Sequence, residues 1–245
     1  MKFHQHILLC LSITFILLVG STFTVVAQKN EELKNLVDTT NFYYGASDLL
    51  NLGELYEPEH AYAKSHPYFI TNDYTLASLR VSNTSFEKIK ARYNLVTDQL
   101  IIKAKVDGGL LVNMITKEDW VHEFRINSHF FINANKFYPG KMVKGYVEEV
   151  YKGKQSFFIK YKKRFVDTYN DATPQGFFSV VKCSKYVYDN NNFIPVDSKR
   201  AFLKLYNDKK SIKKFMHENK IKYSKASTDQ LNMLMQFCDA LPKSS

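Results

Sequence analysis

The run Phe86-Glu-Lys-Ile-Lys-Ala-Arg-Tyr-Asn-Leu-Val-Thr-Asp-Gln-Leu-Ile-Ile-Lys-Ala104 decides the fold. With Thr97-Asp98 as the turn, Leu95 faces Leu100, Tyr93 faces Ile102 and Ala91 faces Ala104, all apolar and on one face. The other face carries Lys88, Lys90, Arg92, Asn94, Gln99, Ile101, Lys103 and Lys105. A one-residue slip would send every apolar side chain to the polar face, so the pattern specifies an antiparallel hairpin with one wet face.

Turn signals repeat outward from this hairpin. Asn83-Thr84-Ser85 links residues 79–82 to 86–96, and Asp107-Gly108-Gly109 leads into residues 110–115. Asn127-Ser128 separates residues 119–126 from 129–133, and Lys152-Gly153 separates 145–151 from 154–161. Strands resume at 177–188 after a polar loop, turn through residues 189–192, and end at 193–196. Strand–helix–strand alternation is missing, so a meander is expected in which each strand pairs with its sequence neighbour.

The period then becomes helical. Ser198 can cap a helix with Phe202, Leu205 and Tyr206 on one face. Asn207 or Asp208 can cap the next, striped by Ile212, Phe215 and Met216, and Ser227 or Thr228 the last, striped by Leu231, Leu234, Met235, Cys238 and Leu241. The expected fold is α+β but mainly β: a curved antiparallel meander of about eight to ten strands, an open barrel being one form of it, covered by C-terminal helices. Residues 48–245 form one β-rich domain, helical over about 198–241.

Residues 1–27 have the zones of a secretory signal: Lys2, the apolar run 7–19, then small residues ending in Val25 and Ala27 at the −3 and −1 positions. The competing reading is a retained anchor, but the apolar run is shorter than the roughly 20 residues a span needs. Residues 28–47 read as a polar tail. The protein is therefore expected to be exported, to the periplasm, the outer membrane or beyond. In that oxidising setting Cys183 and Cys238 are either bridged or two free thiols; a bridge would contribute up to about 4 kcal/mol.

Charge is uneven. Residues 28–140 hold 12 basic and 14 acidic side chains, whereas residues 141–225 hold 20 basic and 8 acidic. Much of the excess lies at Lys209, Lys210, Lys213, Lys214, Lys220 and Lys222, and the helical period turns Lys210, Lys213 and Lys214 away from Ile212, Phe215 and Met216. These six form a candidate anion-facing surface, with anionic lipid, lipopolysaccharide or another envelope component as partner. Nucleic acid is excluded by export, and a solvated face without a partner is the bland alternative.

Patterns for catalysis are missing. There is no Gly-x-Ser-x-Gly elbow and no glycine-rich phosphate loop among the nine glycines. His122 and His129 share a face but stand four positions apart across the hairpin, about 13 Å, too far to share one ion. Glu148 and Glu149, adjacent on a strand, face opposite sides, as would Glu118 and Asp119. Cys183 lies in a strand, away from any helix N-terminus that would stabilise a thiolate. No catalytic residue, metal or cofactor is assigned. The 19 Phe and 16 Tyr either fill the core or line a concave cavity. The leading expectation is a non-enzymatic binding or structural protein of the envelope. The alternatives are a periplasmic carrier of a lipid or other apolar ligand, and a hydrolase whose site is assembled from distant residues.

Three further runs carry a resemblance: Lys185-Tyr-Val-Tyr-Asp-Asn-Asn-Asn-Phe-Ile-Pro-Val-Asp-Ser-Lys-Arg200, Leu203-Lys-Leu-Tyr-Asn-Asp-Lys-Lys210 and Phe215-Met-His-Glu-Asn-Lys-Ile-Lys222. With His66-Pro67-Tyr68-Phe69 and Tyr151-Lys-Gly-Lys154, they resemble a family of uncharacterised secreted proteins of Gram-negative bacteria. The resemblance runs from about Leu55 to Leu241 and implies an exported single-domain fold, with no activity and no site residue. Asp189-Asn-Asn-Asn192 departs from the Lys-Asp-Gly-like turn of that group.

Overall fold

The computed structural model describes residues 53–105, 111–116 and 120–241. The signal segment 1–27, the tail 28–47, the turn Asp107-Gly108-Gly109 and the pair Glu118-Asp119 lie outside the described residues.

The described residues form thirteen strands: β1 (Glu54–Leu55), β2 (Thr75–Val81), β3 (Thr84–Asn94), β4 (Gln99–Lys105), β5 (Leu111–Ile115), β6 (Val121–Ile126), β7 (His129–Asn133), β8 (Tyr146–Tyr151), β9 (Ser156–Lys162), β10 (Phe165–Val166), β11 (Phe177–Phe178), β12 (Lys182–Asp189) and β13 (Asn192–Pro195). Eleven form one antiparallel sheet in the order β1-β5-β4-β3-β2-β6-β7-β8-β9-β12-β13, and β10 with β11 forms a small second one. The expected eight to ten strands are exceeded because a two-residue edge strand, β1, pairs with β5 beyond the strands expected from the sequence. Among the described residues β1 and β13 pair on one side only, so the sheet does not close into a barrel.

The sheet departs from sequence order at three places: β1 pairs with β5, β9 pairs with β12, and the main break falls between β5 and β6. β6 pairs with β2, Leu79 opposite Phe124, rather than with its sequence neighbour β5. The sheet therefore grows in both directions from β2. The first turn also differs from expectation: Ser82 and Asn83 make a two-residue turn, with Ser82 at φ 52 and Val81 opposite Thr84.

In the deciding hairpin, Tyr93 pairs with Leu100 and Ala91 with Ile102, a slip of two from the expected register. Slipping by two keeps each side chain on its face, so hydrophobic patterning does not resist it. Turn contacts select the observed pairing. Asn94 Oδ1 accepts from the amides of Val96 and Thr97 at 2.9 and 3.3 Å. The Leu95 amide donates to the Pro67 carbonyl at 2.9 Å, and the Lys163 amide donates to the Leu95 carbonyl at 3.2 Å. Asp98, at φ 60, accepts from buried Lys160 Nζ at 2.5 Å and from the Tyr93 hydroxyl. A Cβ on Gly145 would fall 1.8 Å from the Asp98 carboxylate, so that approach requires glycine.

The inner face of β2–β8 is filled by aromatic rings. Phe124 stacks on Phe131 at 4.8 Å, with Tyr93 and Tyr146 edge-on to Phe124 at 5.4 and 5.0 Å, and all four are at most 1% exposed. The outer face is drier than expected: Ile101 and Asn94 are buried. The rings of Tyr68 and Tyr74 lie 3.9 and 4.4 Å from the guanidinium of Arg92, the cross-strand partner of Ile101.

A short helix, α1 (Ala134–Phe137), lies between β7 and β8. The C-terminal helices are α2 (Lys199–Leu203), α3 (Lys209–Glu218) and α4 (Thr228–Ala240). Their caps match the sequence signals: Ser198, Asp208, and Ser227 in a capping box with Gln230. Phe202, Ile212, Met216, Leu231, Leu234 and Met235 pack on Val150, Phe157, Ile159 and Val187 of the sheet. A bulge in β8 frees the Val150 carbonyl, and Asn232 of α4 donates to it at 2.6 Å. Apolar burial and this bond together hold the helices on the β8–β12 end of the sheet.

Candidate functional site

Helix α3 is divided lengthwise. Ile212 and Met216 are buried and Phe215 stacks on Phe237 of α4 at 4.1 Å, which turns the polar side outward. Lys209, Lys210, Lys213 and Lys214 are exposed, as are Lys220 and Lys222 beyond the helix end. Lys214 lies 3.8 Å from Glu218, a solvated pair that neutralises little.

The structure brings only part of this set together. Lys209 and Lys213 border an open groove of about 500 Å³ with Lys199, Arg200 and Lys204, and Leu203 contributes to its apolar wall. Lys210, Lys214, Lys220 and Lys222 lie outside the groove lining. Among the described residues no carboxylate lies within 4.0 Å of the groove cations. Reading α2 for its apolar stripe alone misses Lys199, Arg200 and Lys204. The signal that finds them is the density of cations on both sides of the Asn207-Asp208 break.

A second cluster lies on the inner face, at the boundary between the aromatic core and the helix-covered core. Glu148 of β8 is 2% exposed, and its carboxylate accepts from His129 Nδ1 at 2.6 Å and from the Tyr161 hydroxyl at 2.5 Å. Cys183 pairs across the strands with Tyr161, which places it beside the same seam. The hydrogen bond to Glu148 raises the His129 pKa above the ordinary imidazole value; burial opposes this, and the charges of Glu148 and Asp229 add to it. Burial pushes the Tyr161 hydroxyl and the Cys183 thiol up, so both remain protonated at neutral pH. A protonated thiol is a poor nucleophile. The acceptors and donors of this seam satisfy one another, the arrangement of a structural polar network.

The remaining candidates are placed apart. In the Asn127-Ser128 hairpin Ile126 pairs with His129, the expected register, and His122 contacts Arg80 Nη1 at 3.1 Å instead. Among the described residues no cluster of three or more His, Cys, Asp or Glu has the arrangement of a metal site. Cys183 is exposed and Cys238 is buried, and both are free thiols. A second cleft, about 450 Å³, lies where Lys154 and Gln155 meet Tyr206 and Asp239. Its polar groups are bonded to one another: Asp239 accepts from the Tyr151 hydroxyl at 2.9 Å, Tyr206 donates to Gln155 at 2.8 Å, and Gln155 donates to Asp189 at 2.9 Å.

Among the described residues no helix is long and apolar enough to cross a membrane. No family model, curated protein or solved structure matches this chain.

Proposed function

We propose that this is an exported, non-enzymatic binding protein of the cell envelope that engages an anionic component, lipid or lipopolysaccharide, through its basic helical face. The observation that carries this reading is the groove between α2 and α3. Five cationic residues, from α2, its C-cap Lys204 and α3, line it, with no carboxylate in the lining. Each lysine or arginine near an anionic surface contributes about 1 kcal/mol, and a Debye length near 8 Å at physiological salt confines the effect to close contact.

The aromatic filling of the inner face supports surface binding over carriage of an apolar ligand. The mutual bonding of His129, Glu148 and Tyr161, together with the protonated Cys183 thiol, supports a non-catalytic role over a hydrolase. Vesicle co-sedimentation tests the proposal. Binding to anionic but not neutral vesicles, lost in high salt and in the Lys213→Glu, Lys214→Glu double variant, is the expected result. Salt-insensitive binding, or none, rejects it.

A further inference from the structure

We infer that the groove between α2 and α3 recognises the phosphomonoester headgroup of a membrane lipid; this rests on the anion-binding reading above and narrows it to one place and one chemistry. Lys199 and Arg200 stand in the first turn of α2, Lys204 follows its last residue, and Lys209 and Lys213 stand one turn apart on α3. The fold of the α2–α3 corner therefore places five cationic side chains around one open groove whose lining is mainly apolar. The nearest carboxylates along the chain are engaged elsewhere: Asp197 accepts from the Lys185 amide at 2.6 Å, and Asp208 accepts from the Ser211 amide at 3.0 Å.

Charge complementarity selects the headgroup. A phosphodiester carries one negative charge, whereas a phosphomonoester carries about 1.5 to 2 at neutral pH and presents three acceptor oxygens. The more highly charged group relieves more of the repulsion among five clustered cations. The planar fork of Arg200 suits two phosphate oxygens at once, while the lysines act as mobile point charges. The apolar wall selects a lipid over a free phosphate. Leu203 is only 6% exposed, so the apolar lining comes chiefly from the aliphatic stems of the cationic side chains around the groove. A dissolved phosphate gains nothing from that surface; the first acyl methylenes of a lipid do.

The test compares phosphatidylcholine vesicles containing either phosphatidic acid or phosphatidylglycerol, adjusted to equal surface charge, using the protein in its exported form. The expected result is about fivefold tighter binding to phosphatidic acid, the ratio equivalent to about one additional charge contact. The Lys204→Gln, Lys213→Gln variant loses this preference. The Lys214→Gln, Lys222→Gln variant removes the same charge outside the groove, so it weakens binding to both vesicles alike and keeps the preference. All four lysines are exposed, so neither variant disturbs the core. Glycerol 3-phosphate at the concentration of the accessible lipid phosphate does not displace the protein, because it lacks the acyl chains. Equal binding at matched charge overturns the groove inference and leaves the anion-binding function standing, whereas no binding to either vesicle overturns both. A preference that survives in the groove variant, is lost in the other variant, or disappears with glycerol 3-phosphate at only the concentration of the lipid phosphate also overturns the inference.

Discussion

The His129–Glu148 pair makes stability depend on pH in a defined direction. Glu148 is 3% exposed and His129 21% at their side chains, so the pair is shielded from solvent on the carboxylate side and partly wet on the other. A hydrogen bond involving a charged group contributes about 1.5 to 3 kcal/mol, and partial exposure of the imidazole places the coupling near 2 kcal/mol. The folded pKa of His129 lies above its unfolded value, which is about 6.5. The ionic contribution is therefore fully present below pH ~6.5 and is lost as pH rises through the folded pKa. A double-mutant cycle with His129→Gln and Glu148→Gln isolates the pair from His66 and His122, whose pKa values are lowered by burial. Urea unfolding of the four proteins is expected to give a coupling of about 2 kcal/mol at pH 6, falling below about 1 kcal/mol at pH 9. A coupling that is constant across this range would refute the charged-pair reasoning.

Asn232→Ala leaves the carbonyl of Val150 without its side-chain donor and is expected to cost about 1–2 kcal/mol, read as a fall of several degrees in Tm. In the native protein a maleimide is expected to label exposed Cys183 and to reach buried Cys238 only on denaturation. Because the thiol of this exposed residue is still partly desolvated by its neighbours, its pKa is raised, and its labelling is expected to be slower at pH 7.5 than that of a free cysteine and to accelerate above pH 9, as mass spectrometry of timed samples would show.

How much of the fold the sequence discloses depends on whether a signal is local. The faces of the 86–104 hairpin follow from period-two alternation, and the pairing of Ile126 with His129 follows from a tight two-residue turn. The register of Tyr93 with Leu100 does not, because Pro67, Lys160 and Lys163 select it from far along the chain. The β2–β6 pairing is hidden for the same reason: it joins strands separated by three others in sequence. Helix starts at Ser198, Asp208 and Ser227 are readable because a cap is a contact over three residues. The His129–Glu148–Tyr161 seam is spread over three strands, yet it leaves one trace. Glu148 sits between Tyr146 and Val150 at an inward position, where an unpaired carboxylate would be costly. The cations of α3 are legible from the helical period alone, whereas their convergence with Lys199, Arg200 and Lys204 exists only once α2 packs beside α3.

Hydrogen–deuterium exchange with and without anionic vesicles tests most directly the claim that the basic helical corner is the binding surface. Slowed exchange confined to peptides spanning residues 199–222, and abolished by high salt, is the predicted result. Unchanged exchange there, or protection centred on the aromatic inner face of β2–β7, would contradict it.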